Sequence, residues 1–187
     1  MDRLVTTRLT PSMTTHSELS ADAVLTTAMT STRGSVVLAA AVVAGLQAGT
    51  YFTWATGVMP GLAKVDDRTF VSAMQQMNIA IVNPVFIATF LGAPVLAGAA
   101  AVVAGPQARP WAIAATALAV GTLVITFAGN IPLNDALDAA GPVDKIKDLA
   151  AVRADFESLW VKLNIARTLT STGALAALAM AALKLRG

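Results

Sequence analysis

Residues 79–104 read IAIVNPVFIATFLGAPVLAGAAAVVA, a stretch without a single Asp, Glu, Lys or Arg. About 20 residues of α-helix cross the roughly 30 Å of hydrocarbon in a bilayer, so this stretch is long enough to span a membrane. A lone strand is excluded there, because its N–H and C=O groups would find no partners in lipid. The stretch therefore predicts a transmembrane helix.

Three more segments lack charged residues, at positions 35–59, 111–129 and 168–183. The last is short for a span and must recruit residues from Leu159 onward. Charged residues make up 13% of the chain, about half of the roughly 25% found in soluble domains. We therefore predict an all-α integral membrane protein, a four-helix bundle surrounded by the lipid bilayer.

The N-terminal residues 1–33 are rich in Ser and Thr and contain no long apolar run. We expect them to form a flexible tail rather than a cleaved signal peptide, followed by a four-helix transmembrane domain at residues 34–187. Met13 and Met29 are alternative initiators to Met1, and the sequence leaves open which of the three is used.

The connections before spans two and four carry helix signals of their own. Asp66 and Asp67 lie where an N-cap would precede Phe70, which predicts a short amphipathic helix before span two. No Gly or Pro occurs between Pro142 and Gly173. Helix four is therefore expected to begin outside the membrane and to enter it unbroken.

Prolines mark the other segment ends. Pro60 and Pro132 are expected to open the connections that follow spans one and three. Pro84 follows Asn83 near the start of span two, where a proline removes one helical hydrogen bond and frees the carbonyl of Ala80. A kinked helix is the predicted result.

Charge says little about partners. The net charge of +2 is too small to indicate nucleic-acid binding. Six basic residues fall on the side of the two termini and seven on the other side, nearly a tie under the positive-inside rule. The side of the termini has three acidic residues and the other side has eight. We predict a plasma-membrane protein with both termini in the cytoplasm.

The residue inventory excludes several kinds of chemistry. The chain has no Cys, so disulfides, thiolate catalysis and cysteine-ligated clusters are impossible. Its one histidine, His16, precedes the first span, which excludes a bis-histidine haem or a histidine zinc site within the bundle. We accordingly predict no metal, and the inventory fits a scheme that uses no cofactor.

All four spans carry polar side chains at helical spacing towards the same end of the bundle. The residues predicted to line one composite pocket there are Gln47, Trp54, Asn78, Asn83, Asn130, Trp160, Asn164 and Arg167. Apolar walls with a few amide and guanidinium donors suit a flat hydrophobic molecule that carries one or two oxygens.

Two of these residues have a structural alternative, and one helix face has two interpretations. Asn83 would instead satisfy the helical ladder that Pro84 breaks, and Arg167 would instead extend along the helix to reach water. Gly45 and Gly49 form a small-xxx-small pair, which serves either ordinary helix packing or a homo-oligomer.

Several motifs together resemble the anthrone-oxygenase-like family of small membrane proteins. They are Gly45-Leu46-Gln47-Ala48-Gly49, Val58-Met59-Pro60-Gly61-Leu62, Asp66-Asp67-Arg68-Thr69-Phe70-Val71, Ala73-Met74-Gln75, Asn78, Asn83-Pro84, Asn130-Ile131-Pro132-Leu133-Asn134, and Phe156 with Trp160, Asn164 and Arg167. The resemblance covers roughly residues 34 to 183. It implies a four-helix membrane bundle, and for some members an oxygenase that converts an anthrone into an anthraquinone without a recognised metal or flavin.

Carried over to this chain, the resemblance implies roles for the pocket residues. Arg167 would stabilise the enolate oxyanion of the substrate, Asn130 and Asn164 would orient it, and Trp54 and Trp160 would stack on its rings. No general base is evident. Two alternatives remain: a non-enzymatic protein that binds a lipid or a partner helix, and, with least support, a small transporter.

Overall fold

The computed structural model of the protein describes residues 14–185, and before Thr32 it describes only the side chains of Val24 and Thr27. Backbone contacts divide the chain into two units, Met1–Thr32 and Arg33–Gly187. Residues 1–13 of the predicted tail, and the side chain of His16, lie outside the described part. From Thr14 onward the chain is helical, in α1 (Thr14–Thr53), because residues 14–33 contain neither Gly nor Pro to interrupt a helix.

Six further α-helices follow α1. They are α2 (Met59–Leu62), α3 (Asp67–Ala80), α4 (Pro84–Val103), α5 (Arg109–Ile125), α6 (Ile131–Ala139) and α7 (Leu149–Lys184). Two π-helical segments, Trp54–Val58 and Thr126–Asn130, join α1 to α2 and α5 to α6. A 3₁₀ turn, Val143–Lys145, lies before α7, and residues 14–185 contain no strand.

Four continuous helical stretches are long and apolar enough to cross a bilayer. They are Thr32–Leu62, Pro84–Val103, Arg109–Ala139 and Leu149–Lys184. The shortest has 20 residues, which at 1.5 Å per residue matches the thickness of the hydrocarbon core. The prediction of an all-α membrane protein is confirmed, as is the extended helix four, which runs unbroken for 36 residues.

The prediction that Pro60 and Pro132 end their helices is wrong. In both places the chain stays helical, because a π-helical segment comes immediately before the proline. The backbone N–H of Met59 donates to the carbonyl of Trp54, and that of Ile131 to the carbonyl of Thr126, in each case five residues back. A proline has no N–H and its ring crowds the carbonyl four residues earlier, and the wider turn accommodates both effects.

The short helix before span two is confirmed, and its link to span two differs from the prediction. The Asp66 carboxylate accepts a hydrogen bond from the Thr69 backbone N–H and caps α3. Pro84 produces a full break rather than a kink, since α3 ends at Ala80 and α4 begins at Pro84. Asn83 caps α4 in extended conformation, the one favoured for a residue before proline.

Two clusters of buried side chains hold the spans together. The first consists of small residues, mainly alanines, from all four spans, which lets the helices approach closely; it comprises Val37, Ala40, Ala44, Ala97, Ala100, Ala104, Ala108, Ala112, Ala115, Ala177, Leu178 and Ala181. The second is built from larger side chains of α2, α3, α6 and α7, namely Met59, Phe70, Val71, Met74, Leu137, Phe156 and Trp160. Along each span, the residues between the two clusters surround a cavity.

Candidate functional site

This cavity has a volume of about 270 Å³, near the lower end of the roughly 300–1,000 Å³ of ligand pockets in proteins. Both π-helical segments and the break between α3 and α4 contribute to its wall. The lining residues are Thr50, Tyr51, Trp54, Asn78, Ile81, Val82, Phe86, Ile87, Phe90, Leu91, Thr126, Phe127, Asn130, Ile131, Asn134, Trp160 and Arg167. Most of the wall is apolar, and the polar groups are few.

Five of the eight pocket residues predicted from the sequence line the cavity. Trp54, Asn78, Asn130, Trp160 and Arg167 come together there although they belong to four separate helical stretches. Helical periodicity placed each on the inner face of its own span, and packing of the spans brought the faces together. Five of the predicted residues therefore share one cavity, while their roles stay predictions.

The other three predicted residues lie outside the cavity wall. Gln47 is buried and its amide N–H donates to the carbonyl of Phe90 at 3.5 Å. Asn83 is exposed, caps α4 and donates to the carbonyl of Ala80 at 3.1 Å, as the structural alternative predicted. Asn164 lies behind the wall and contacts Arg167.

Arg167 is the charged group of the site. Only 6% of the residue is exposed, so the alternative in which it extends to water is wrong. One guanidinium N–H donates to Asn164 Oδ1 at 2.9 Å. The guanidinium carbon lies 4.5 Å from the ring centroid of Tyr51 and 5.2 Å from that of Trp160, contacts that stabilise a cation through the electron-rich ring faces.

No carboxylate neutralises this cation. The ion pairs of the described residues are Arg68 with Asp144 and Arg153 with Asp67 and Glu157. A guanidinium stays protonated in proteins, and a buried charge is ordinarily paired with an opposite one. Among the described residues, Arg167 therefore has a positive charge without a carboxylate partner at the wall of an apolar cavity.

Two indoles form an aromatic corner of the cavity. The rings of Trp54 and Trp160 have centroids 5.2 Å apart and planes tilted by 51°. The indole N–H of Trp160 donates to Asn134 Oδ1 at 2.9 Å, and the Asn130 amide donates to the backbone carbonyl of Trp160 at 3.5 Å. These bonds fix the position of the Trp160 ring, which also stacks on Phe156 with centroids 6.1 Å apart.

Four buried polar atoms of the described residues have no hydrogen-bond partner. They are Tyr51 Oη, Asn78 Nδ2, Asn130 Oδ1 and Arg167 Nε. All four belong to residues that line this one cavity. A buried unpaired donor or acceptor costs about 1–3 kcal/mol, and these four atoms lie together at one cavity.

Sequence reasoning missed several residues of the wall. Tyr51 comes four positions after Gln47, and Asn134 comes four positions after Asn130. Residues four apart lie on the same face of a helix, so this spacing is the signal that identifies them. Phe90 and Phe127, with ring centroids 5.8 Å apart, gave no signal, because every span is rich in apolar residues.

One side of the cavity faces the lipid. Val82, Ile87 and Leu91 line it and are exposed on the outer surface of the bundle. They lie at the break between α3 and α4 and on the first turns of α4.

Comparison with known proteins agrees with the motifs. A family model described as Anthrone oxygenase matches residues 77–177, more than half of the 187 residues. No curated protein and no solved structure gives a significant match. The matched range contains Asn78, Asn130, Trp160 and Arg167, four of the five predicted residues that line the cavity. The chain belongs to the anthrone oxygenase family.

Proposed function

We propose that this membrane protein is an oxygenase that needs no cofactor and binds a flat lipophilic substrate of the anthrone type as its enolate. The observation that carries the proposal is the buried guanidinium of Arg167, which has no carboxylate partner and adjoins an apolar cavity with an aromatic corner. A neutral hydrocarbon ligand would leave that charge uncompensated, whereas the oxyanion of an enolate neutralises it.

The proposed reaction starts from the enolate, which forms before binding when the methylene carbon of the anthrone loses a proton to water. The resulting enolate carries negative charge on its oxygen, which Arg167 stabilises, and electron density on the carbon that reacts with O₂. A carbon–oxygen bond forms, O₂ is reduced to a peroxide, and loss of one water molecule gives the quinone. One anthrone and one O₂ thus become one anthraquinone and one water.

The remaining cavity residues position the substrate. Trp54 and Trp160 supply ring faces for stacking, and Asn78 and Asn130 each have an unpaired amide atom for a carbonyl or hydroxyl of the ligand. Asn164 acts one layer back, since it accepts from Arg167 and donates to the carbonyl of Tyr51 at 3.2 Å. It is a positioning residue in this scheme.

A second candidate function is non-enzymatic binding of a lipid or other lipophilic anion. The observation that favours it is that the cavity lining contains no Asp, Glu, His, Cys or Lys among the described residues. These are the side chains that most often serve as general bases. The same pocket would then recognise a ligand without changing it.

Oxygen uptake distinguishes the two functions. The protein, purified in mild detergent, is given anthrone in an oxygen electrode, and the products are identified by mass spectrometry. We expect quinone formation that Arg167→Gln lowers by about 10²–10³-fold, while Arg109→Gln, an exposed arginine at the opposite end of α5, behaves as the wild type. Tight binding of anthrone without oxygen uptake would contradict the oxygenase and support the binding function.

The untreated protein supplies an independent test. A mass-spectrometric profile of small molecules that purify with the wild type and with Arg167→Gln shows what the cavity holds in the cell. An aromatic or quinone that is lost in the variant supports the proposed site. Bulk lipid in equal amounts in both proteins argues against it.

We further propose that the protein resides in the plasma membrane with both termini in the cytoplasm. The sequence contains no Cys, so the variants Lys184→Cys and Lys147→Cys each have a single thiol. A thiol reagent that does not cross the membrane labels only a cysteine on the outer side of the cell. Labelling of Lys147→Cys but not Lys184→Cys in intact cells is expected. The reverse pattern would invert the topology.

A homo-oligomer through Gly45 and Gly49 stays a prediction. No atom outside its own helix lies within 4 Å of a Cβ placed on Gly49, whereas one placed on Gly45 would lie 3.8 Å from Leu175 of the same chain. Gly49→Leu would therefore disrupt an oligomer with little effect on the monomer. Size-exclusion chromatography with light scattering tests this.

A further inference from the structure

The proposed reaction moves protons, and the cavity contains few groups that can do so. Of the described residues in its wall, only Tyr51 and Arg167 have ionisable side chains. A guanidinium does not give up its proton in proteins, and amides and threonine hydroxyls do not ionise in the ordinary pH range. Tyr51 is thus the one lining residue whose side chain can both lose and regain a proton.

The hydroxyl of Tyr51 is available for this purpose. The residue is 2% exposed, and Tyr51 Oη is buried without a hydrogen-bond partner. The polar side chains next to this hydroxyl are Gln47 and Thr126; the Gln47 amide also donates to the Phe90 carbonyl at 3.5 Å, and the Thr126 hydroxyl to the Thr122 carbonyl at 2.8 Å. A buried hydroxyl left without a partner is costly unless a ligand satisfies it.

The guanidinium of Arg167 lies over the ring of the same residue, 4.5 Å from its centroid. A cation in this position interacts more favourably with an anionic phenolate than with a neutral phenol. Arg167, which would bind the oxyanion of the substrate, and Tyr51 both line the cavity.

We infer that Tyr51 is the proton-transfer residue of this site, which first gives its hydroxyl proton to the substrate peroxide and then removes the last proton from the reacting carbon. This inference rests on the proposed function. It assigns a role to the only tyrosine in the chain, which the family match by itself does not cover, since Tyr51 precedes the matched residues 77–177.

The two transfers balance. The peroxide anion on the reacting carbon takes the proton of Tyr51 and becomes a hydroperoxide, leaving a phenolate. The phenolate then takes the hydrogen of that carbon as a proton, the carbon–hydrogen electron pair forms the new C=O bond, and the O–O bond breaks with hydroxide as the leaving group. Hydroxide combines with the proton lost when the enolate formed, giving water, and Tyr51 is neutral again.

Tyr51→Phe removes only the hydroxyl and keeps the ring beneath Arg167. We expect anthrone to bind to this variant under nitrogen as it binds to the wild type. In air, we expect quinone formation to fall about a hundredfold or more, because the peroxide anion no longer receives the proton of Tyr51. The control is Thr116→Val, which removes a hydroxyl that bonds to its own helix at Ala112 and lies away from the cavity; it should behave as the wild type.

A spectroscopic readout separates this role from a purely structural one. Because the chain has one tyrosine, ring-deuterated tyrosine gives infrared difference bands that belong to Tyr51 alone. We expect the phenol bands to shift when anthrone binds to the wild type under nitrogen. This measurement needs no variant, so it holds even if Tyr51→Phe folds poorly.

The outcomes distinguish the two proposals. An active wild type together with an equally active Tyr51→Phe, or with tyrosine bands that do not change on binding, would overturn the role of Tyr51 and leave the oxygenase intact. A wild type that neither binds nor oxidises anthrone would overturn both.

Discussion

The guanidinium of Arg167 lies 4.5 Å from the ring centroid of Tyr51, and none of the ion pairs within residues 14–185 includes it. Ring faces and the amide oxygen of Asn164 stabilise the cation without cancelling its charge. The proposed function depends on this charge, which has no carboxylate partner among the described residues.

Supplying the missing counter-charge should therefore weaken anion binding. Asn164→Asp keeps the shape of the side chain and places a carboxylate where Asn164 Oδ1 now accepts from Arg167 at 2.9 Å. We expect affinity for anthrone under nitrogen, measured by titration of its enolate absorption, to fall by about 10- to 100-fold, the equivalent of the roughly 1.5–3 kcal/mol of a hydrogen bond to a charged group. Unchanged affinity would show that the ligand is not bound as an anion.

The lipid-facing side of the cavity predicts the route of entry. Leu91 lines the cavity and Val95, one turn further along α4, is exposed to lipid but does not line it. We expect Leu91→Trp to lower kcat/KM for anthrone several-fold by blocking the opening, while Val95→Trp leaves it unchanged. Equal kinetics in both variants would place the entrance elsewhere.

Arg153 should be important for stability rather than for binding. Its guanidinium donates to the carbonyl of Val65 at 2.8 Å, to Asp67 and to Glu157, and it lies 4.4 Å from the ring centroid of Phe70. These contacts tie α7 to the chain between α2 and α3.

Removing them by Arg153→Ala is expected to cost about 2–3 kcal/mol, measured by thermal or SDS unfolding in detergent. The comparison is Arg68→Ala, whose ion pair with Asp144 is exposed and should contribute at most about 1 kcal/mol. Equal losses would mean that the contacts of Arg153 are worth no more than a surface ion pair.

Gly129, in the π-helical segment Thr126–Asn130, lies in close contact with α7. A Cβ on Gly129 would lie 2.7 Å from Leu163 Cδ1, whereas a Cβ on Gly121, two turns earlier, would meet nothing within 4 Å. We expect Gly129→Ala to destabilise the protein by about 1–3 kcal/mol through crowding and Gly121→Ala to stabilise it by about 0.5–1 kcal/mol.

Unfolding of the double variant Gly129→Ala with Leu163→Ala checks the cause. If Leu163 is the obstacle, the two substitutions together should cost less than the sum of the single losses. Strict additivity would mean that crowding by Leu163 is not the reason.

Acid should weaken the N-terminus of α3. Two hydrogen bonds from Thr69 lower the pKa of the Asp66 carboxyl below its ordinary value of 3.8. The bond from the Thr69 hydroxyl has the larger effect, and the bond from its backbone N–H has the smaller one. A carboxyl whose pKa is lower in the folded state stabilises the protein above the unfolded pKa and loses this effect as pH falls through the folded pKa.

The stability difference between the wild type and Asp66→Ala should therefore be largest near neutral pH and should shrink below pH 3.8. Thermal unfolding across this range measures it, with Asp155→Ala, a change at an exposed position of α7, as the control. A difference independent of pH would mean that the capping bonds do not depend on the charge of Asp66.

The inner face of helix four could be predicted from the sequence. Trp160, Asn164, Arg167 and Ser171 share one direction at 100° per residue, and all four are buried. Helical periodicity and span length are local properties, and in lipid the backbone has no alternative to a helix. The cap at Asp66 and the unbroken α7 were likewise predicted from residue spacing and composition alone, because both are local properties of the chain.

Helical periodicity did not determine which of the inward-facing residues line the cavity. Gln47 bonds to Phe90, a residue 43 positions away, and so stays out of the cavity, while Tyr51, one turn later, enters it with an unpaired hydroxyl. Pro60 and Pro132 follow widened turns and do not end their helices. The rotation of each helix against its neighbours depends on contacts that are distant in the sequence, so periodicity determined which residues face inward, and only tertiary packing decided which of them share the cavity.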